Sequence, residues 1–300
     1  MIKIDNVSKS YGDIKSLCGI NAEIGSGSIY GLIGSNGSGK STLLRIMCGI
    51  MRSDDGAVLY DGECVYENVE VKESVVYLSD DQYFMTGSTL NEMAELYASV
   101  YKSFSKERYN ELLKLFGLSG TRKLSTFSKG MKKQGSILLG LSSYPKYLLC
   151  DETFDGLDPV MRQFVKKILA EEVVTRGLTP VIASHNLREV EDICDHIGLL
   201  HKGGILFESE IDQLKSGIHT IQAVFETEVP IRELFEGFHI VSESKRGTLV
   251  TAVIKGEREA IEERASSLSP KFFEIIPLTL EEIFISEMEE KGYDYSNVIF

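Results

Sequence analysis

The chain has 300 residues, 43% apolar and 26% charged, enough for one large domain or two and for a sizeable core. No run approaches the roughly 18 consecutive apolar residues of a membrane span, and residues 1–5 lack the features of a signal peptide, so a cytosolic protein that does not itself cross a membrane is expected. The formal net charge of −13 disfavours a general nucleic-acid binder, and five scattered cysteines with no CxxC pair read as reduced, mostly core-facing thiols.

In chain order, residues 29–33 read as a buried strand and residues 43–47 as the start of a helix. Between them stands Gly34-Ser35-Asn36-Gly37-Ser38-Gly39-Lys40-Ser41-Thr42. Three glycines let the backbone curl so that successive N–H groups and a helix N-terminus face a phosphate. Lys40 adds a point charge near the β- and γ-phosphates, and Ser41 offers a hydroxyl to Mg²⁺. A strand, this loop and a helix in that order predict a nucleoside-triphosphate site.

Residues 58–60 and 63–65 flank Asp61-Gly62, a pair that favours a type I′ hairpin. From Thr89 the period becomes helical. Thr89 and Glu92 have capping-box spacing, and Tyr109, Leu112, Leu113 and Phe116 share a helical face before Gly117. Residues 80–146 are therefore read as a helical subdomain.

The apolar run 147–150 predicts a strand buried on both faces, followed by a helix and a strand at 181–183. A parallel α/β sheet follows from that alternation. Asp151 and Glu152 then sit at the sheet's C-terminal edge, where ligands of parallel sheets bind. Asp151 is expected to serve Mg²⁺, and Glu152 to orient or deprotonate the attacking water.

A linker is expected at 215–217, dividing an ATPase domain (1–215) from an accessory α+β domain (218–300). The tail reads as strand 220–225, helix 231–235, strands 240–242 and 248–254, helix 258–268 and strand 272–276. A last helix is opened by Thr279 and Glu282, with Ile283, Phe284 and Met288 on its apolar face. This βαββαβ order predicts a ferredoxin-like fold.

Taken together, Tyr11, the phosphate loop, Ser128-Lys129-Gly130-Met131, Asp151-Glu152, Asp155-Gly156-Leu157-Asp158 and His185 resemble the nucleotide-binding subunit of an ATP-binding-cassette (ABC) transporter over about residues 1–212. The resemblance implies a P-loop core with an antiparallel β subdomain and a helical subdomain. ATP and Mg²⁺ are the implied cofactors. It also implies that Tyr11 stacks on adenine, that Ser128, Lys129 and Gly130 reach the nucleotide of a second cassette, that His185 senses the γ-phosphate and that Asp158 couples the two sites.

Implied partners are a second ATPase subunit, as homodimer or heterodimer, and a separately encoded membrane permease that holds the protein at the inner face of the cell membrane. Where the family presents a glutamine after the strand 75–78, this chain has Ser79-Asp80-Asp81-Gln82. Asp80 is the residue expected to take its place at Mg²⁺, with Gln82 the rival. A second glycine is missing before Gly130, and Asp155 stands where serine is usual, as in the bacterial exporter branch. The competing reading is a soluble ABC ATPase acting on a macromolecular partner. Its known forms carry two cassettes or long heptad insertions, features this sequence lacks.

Overall fold

The computed structural model describes residues 1–225 and 231–290, with side chains as far as Ser286. The chain divides into two compact units, Met1–Glu208 and Ser209–Phe300.

The first unit opens with β1 (Ile2–Tyr11) and β2 (Ile14–Ile24), followed by β3 (Tyr30–Ile33), α1 (Lys40–Met47), β4 (Asp55–Tyr60) and β5 (Glu63–Cys64). Strands β2-β1-β4-β5 form an antiparallel sheet in that order. Its last hairpin turns at Asp61 and Gly62, both with positive φ, the geometry a type I′ turn requires.

Next come α2 (Val69–Glu73), β6 (Val75–Leu78), α3 (Leu90–Val100), α4 (Lys106–Leu115), α5 (Lys129–Ser142) and β7 (Tyr147–Asp151). Then follow α6 (Pro159–Arg176), β8 (Thr179–Ser184), α7 (Leu187–Glu191), β9 (His196–His201) and β10 (Gly204–Glu210), within which the first unit ends. Here the sheet is six-stranded, in the order β10-β9-β3-β8-β7-β6. β3 pairs in parallel with both β8 and β9, and β7 with both β6 and β8. All residues of β3, β7 and β8 are buried, which explains their continuous apolar runs.

Helix α1 sends Leu43, Leu44, Ile46 and Met47 into a core shared with Ile4, Val7, Leu17 and Ile20 of the first sheet. Each such side chain contributes about 1.5–3 kcal/mol through burial, so the helix that leaves the phosphate loop is anchored between the two sheets. Helices α3, α4 and α5 form the insertion. Thr89 and Glu92 cap α3 reciprocally. Arg108 of α4 and Arg176 of α6 both hold the buried Glu172, tying the insertion to the sheet's helices.

The second unit contains α8 (Ile211–Ser216), β11 (Ile218–Val224), α9 (Ile231–Leu234), β12 (His239–Arg246), β13 (Leu249–Lys255), α10 (Arg258–Ser267), β14 (Phe272–Pro277) and α11 (Leu280–Glu290). Its sheet is antiparallel in the order β12-β13-β11-β14. Ile221, Phe235, Ile254 and Ile261 form the core of this unit. Thr279 and Glu282 exchange hydrogen bonds at the start of α11. Ile283 and Phe284 are buried, and Met288 lies outside the residues whose side chains are described.

The segment expected as a linker differs from the expectation. Lys215 and Ser216 are the last residues of α8, and Gly217 is its C-cap. A single turn offers only Ile211 and Leu214 as an apolar pair, too little to announce a period. Leu214 nevertheless packs with Ile218, Leu278 and Ile283, and that packing fixes the turn.

Candidate functional site

Between β3 and α1 the chain makes a tight loop whose glycines are structurally required. A Cβ on Gly34 would lie 2.4 Å from the Leu200 carbonyl oxygen and 2.5 Å from Ser38 Oγ, and Gly39, at φ 112°, would bring one within 2.7 Å of the Ser16 carbonyl oxygen. No side chain caps α1, so the N–H groups of its first turn point into the concavity as anion donors. The buried Ser38 hydroxyl has no hydrogen-bond partner there. Lys40, itself buried, donates from Nζ to the carbonyls of Gly34 at 2.7 Å and Ser35 at 3.3 Å. A helix N-terminus with no side-chain cap, an unpaired hydroxyl and an ammonium suit a polyphosphate.

Lys40 Nζ is also 3.4 Å from Glu152 Oε1. Burial lowers the Lys40 pKa, and the neighbouring charges of Glu152 and Asp151 oppose that shift.

The acidic side of the site comes from the ends of β7 and β8. Their parallel register sets Asp151 opposite Ala183, so Glu152 and His185 emerge side by side. Asp151 is buried and accepts from Ser41 Oγ at 3.0 Å on one oxygen and from Tyr77 OH at 2.9 Å on the other. Burial and the adjacent Asp151 push the Tyr77 pKa up, so its phenol remains a donor. The hydroxyl of Ser41 and the carboxylate of Asp151 form a hard-oxygen pair of the kind Mg²⁺ takes, so these residues fit that ion.

Glu152 has a left-handed backbone, φ 45°. Its Oε2 lies 2.9 Å from His185 Nδ1, opposite the oxygen that faces Lys40. Among the described residues, Glu152, Asp155 and His185 are also the one group of three whose ligand atoms gather within 4.8 Å, close enough for a cation.

Lys40, Ser41, Asp151, Glu152 and His185 thus form one connected group. Asp80 reaches it only indirectly: its Oδ1 accepts from Lys133 Nζ at 3.0 Å, and the same nitrogen donates to the Glu152 carbonyl at 2.6 Å. Gln82 turns inward and donates to the carbonyls of Ser79 and Asp80.

The remaining expected residues stand apart from this group. Tyr11 ends β1 with its ring partly exposed and its hydroxyl 3.0 Å from Met51 Sδ. Ser128 caps α5 by accepting from the Met131 N–H, and exposed Lys129 is the first residue of that helix. A Cβ on Gly130 would meet the Gly156 carbonyl at 3.0 Å, which places the 128–130 loop beside the 155–158 loop. Asp158 caps α6 through the Met161 N–H.

Sequence reasoning missed Tyr77 and Lys133 and gave Asp155 no role. A phenol inside the apolar strand 75–78 marks the first. Lys133 shares the 133, 137, 141 face of α5 with Ile137 and Leu141, so a lysine on an apolar stripe was the available signal.

Comparison with known proteins gives a consistent picture. The family model described as "ABC transporter" matches residues 17–155. The ABC transporter ATP-binding protein YtrB of Bacillus subtilis (strain 168) is 30% identical over 97% of this chain and 99% of its own length. The bacitracin transport ATP-binding protein BcrA of Bacillus licheniformis is 33% identical over 72% of this chain and 71% of its own. Among solved structures, an ATP-binding subunit of an ABC transporter superposes with a TM-score of 0.67 at 26% identity, covering 72% of this chain and 92% of that one.

Proposed function

Because this chain belongs to the ABC transporter family and is an ATPase with the cassette fold, we propose that it powers an exporter by ATP-driven closure of a cassette dimer, reopened by hydrolysis. The observation that carries this reading is the connected group Lys40, Ser41, Asp151, Glu152 and His185, assembled beside the phosphate loop at one edge of a parallel sheet.

In this reading the triphosphate lies along residues 34–42, and Lys40 neutralises charge on the β- and γ-phosphates. Ser41 and Asp151 would hold Mg²⁺, which when bound supplies further charge neutralisation at the phosphates. Glu152 orients the attacking water or accepts its proton, and His185 fixes the Glu152 carboxylate while facing the γ-phosphate. Tyr11 stacks on adenine from the partly exposed end of β1.

The Ser128, Lys129 and Gly130 loop, at the exposed N-terminus of α5, completes the site of a second cassette, and Asp158 beside it couples the two. Asp80 is the first candidate for the glutamine's place near Mg²⁺, with Gln82 the rival. Its pairing with Lys133 means that a metal role must compete with an ion pair.

We further read Ser209–Phe300 as an accessory ferredoxin-like module, supported by its βαββαβ element order and by the sheet order β12-β13-β11-β14. Among the described residues no helix is long and apolar enough to cross a membrane. In this reading the chain works at the inner face of the membrane through a separately encoded permease and takes no nucleic acid. The name of the bacitracin transport relative supports a transport role, and the Lys129 and Asp155 variants support export.

Co-expression with a multi-span membrane protein encoded beside its gene, followed by reconstitution into lipid vesicles, tests this reading. Co-purification and an ATPase rate that rises on reconstitution are expected. An ATPase that never co-purifies and turns over at an unchanged rate would remove the transporter part of the proposal.

A further inference from the structure

Lys133 is fully buried, yet it shares its helix face with Ile137 and Leu141. An ammonium in such a place must be matched by acceptors, because leaving it unpaired away from water costs far more than the burial of its methylenes returns. Its partners come from two different segments. One is the Glu152 carbonyl, 2.6 Å away, and the other is Asp80 Oδ1, 3.0 Å away.

The first partner belongs to the residue on which hydrolysis depends in the proposed function. Glu152 is a non-glycine residue at φ 45°, a conformation that persists only where surrounding contacts hold it. Three contacts do so here. The Glu152 N–H donates to the Ala183 carbonyl at 3.0 Å, and the Glu152 carbonyl accepts from the Asp155 N–H at 3.3 Å as well as from Lys133. With that peptide fixed, the carboxylate is aimed between Lys40 and His185. A rotation of the peptide toward ordinary backbone angles would swing the carboxylate out of that position.

The second partner is half exposed, on the segment between β6 and α3 that also displays Tyr83 and Met85 to solvent. One buried nitrogen therefore joins the backbone of Glu152 to an open loop, and Asp80 serves as its counter-charge.

We propose that Lys133 is a positioning residue for ATP hydrolysis, holding the Glu152 peptide in its left-handed conformation while Asp80 balances its charge. This rests on the reading that Glu152 orients or deprotonates water. The hydrogen bonds of Lys133 go to Asp80 and to the Glu152 backbone, so its loss is expected to affect turnover rather than nucleotide binding.

The test compares Lys133→Met, Lys133→Gln and the double variant Lys133→Met with Asp80→Asn in the full-length chain, with Glu152→Gln as control. Melting temperature, MgATP affinity, KM and kcat are measured for each. Lys133→Met is expected to lower kcat about tenfold or more, with KM within about twofold, since a misplaced catalytic group costs rate and not affinity. Lys133→Gln keeps an N–H donor and is expected to recover most of that loss. The double variant also removes the half-exposed Asp80 charge that Lys133→Met leaves without its partner, so it is the better folded of the two, and it is expected to stay slow.

Wild-type kcat in the folded double variant overturns the proposal, as does a Lys133→Gln protein no faster than Lys133→Met. If Glu152→Gln itself turns over normally, the failure lies in the assignment of Glu152. If Glu152→Gln is inactive while the Lys133 variants are unimpaired, only the role of Lys133 fails.

Discussion

The Ser41 hydroxyl donates to Asp151 Oδ1 at 3.0 Å across a separation of 110 residues. Ser41 is in the first turn of α1 after β3, and Asp151 ends β7, two strands away across β8. Parallel pairing brings the C-terminal ends of these strands to one edge, so a hydroxyl and a carboxylate meet beside the phosphate loop. Tyr77 holds the other Asp151 oxygen and leaves the pair little freedom to turn away.

That geometry predicts how metal dependence will respond to mutation. Asp151→Asn removes the charge and keeps the shape, so ATP binding should persist while turnover falls and demands far more MgCl₂. Chelation should silence the wild type, and added Mg²⁺ should restore it. An MgCl₂ titration of ATPase rate reads this directly, and an unchanged titration curve would take Asp151 out of the metal site.

Glu152 and Lys40 lie 3.4 Å apart but should behave differently. Glu152→Gln is expected to keep ATP affinity, lose about 100-fold or more in kcat and accumulate an ATP-bound dimer by size exclusion. Lys40→Ala should weaken binding itself, by about 1.5–3 kcal/mol, because it removes a charge-assisted phosphate contact. Normal turnover in Glu152→Gln would exclude it as the group that handles water.

Tyr11 presents a ring at the end of β1, and its hydroxyl is occupied by Met51. Stacking needs the ring alone. Tyr11→Phe should therefore match the wild type in nucleotide affinity, while Tyr11→Ala loses about 1–3 kcal/mol, by analogy with base stacking on aromatic side chains. Equal affinity in all three proteins, measured by calorimetry, would place the adenine elsewhere.

The division between Glu208 and Ser209 predicts that a chain ending at Glu210 retains β10, folds and binds ATP with wild-type affinity. A cut after Gly217 should be less well behaved, since it keeps Leu214 but removes its partners Ile218, Leu278 and Ile283. Loss of ATP binding in a well-folded chain ending at Glu210 would place part of the nucleotide site in the C-terminal unit.

Asp61 gives a pH prediction. The Lys146 hydrogen bond, with help from the Met1 amino group and Tyr147, holds its carboxyl well below the usual carboxylate range. A group with a depressed folded-state pKa contributes stability that is present above its unfolded value of about 3.9 and is lost as pH falls through the folded value. Asp61 is half exposed, so solvent screening limits the effect to about 1 kcal/mol. Asp61→Asn should melt lower than the wild type at pH 7, and the two melting curves should converge in strong acid. A gap that widens on acidification would contradict this assignment.

The sequence by itself determined whatever depends on neighbours along the chain. The glycine spacing of 34–39, the two positive-φ residues at Asp61 and Gly62, and the Thr89–Glu92 and Thr279–Glu282 pairs each act within a few residues, so their geometry is implied by residue type. The same holds for the apolar runs 147–150 and 181–183, whose composition burial on both faces favours. Only the tertiary structure decided that Tyr77 holds Asp151, that Lys133 takes both Asp80 and the Glu152 carbonyl, and that a turn of helix occupies 211–216. Those outcomes depend on strand register and on which side chains packing brings within hydrogen-bond reach. For Lys133 the deciding quantity is the cost of a buried ammonium, and no pattern of neighbouring residues reveals where its acceptors will come from.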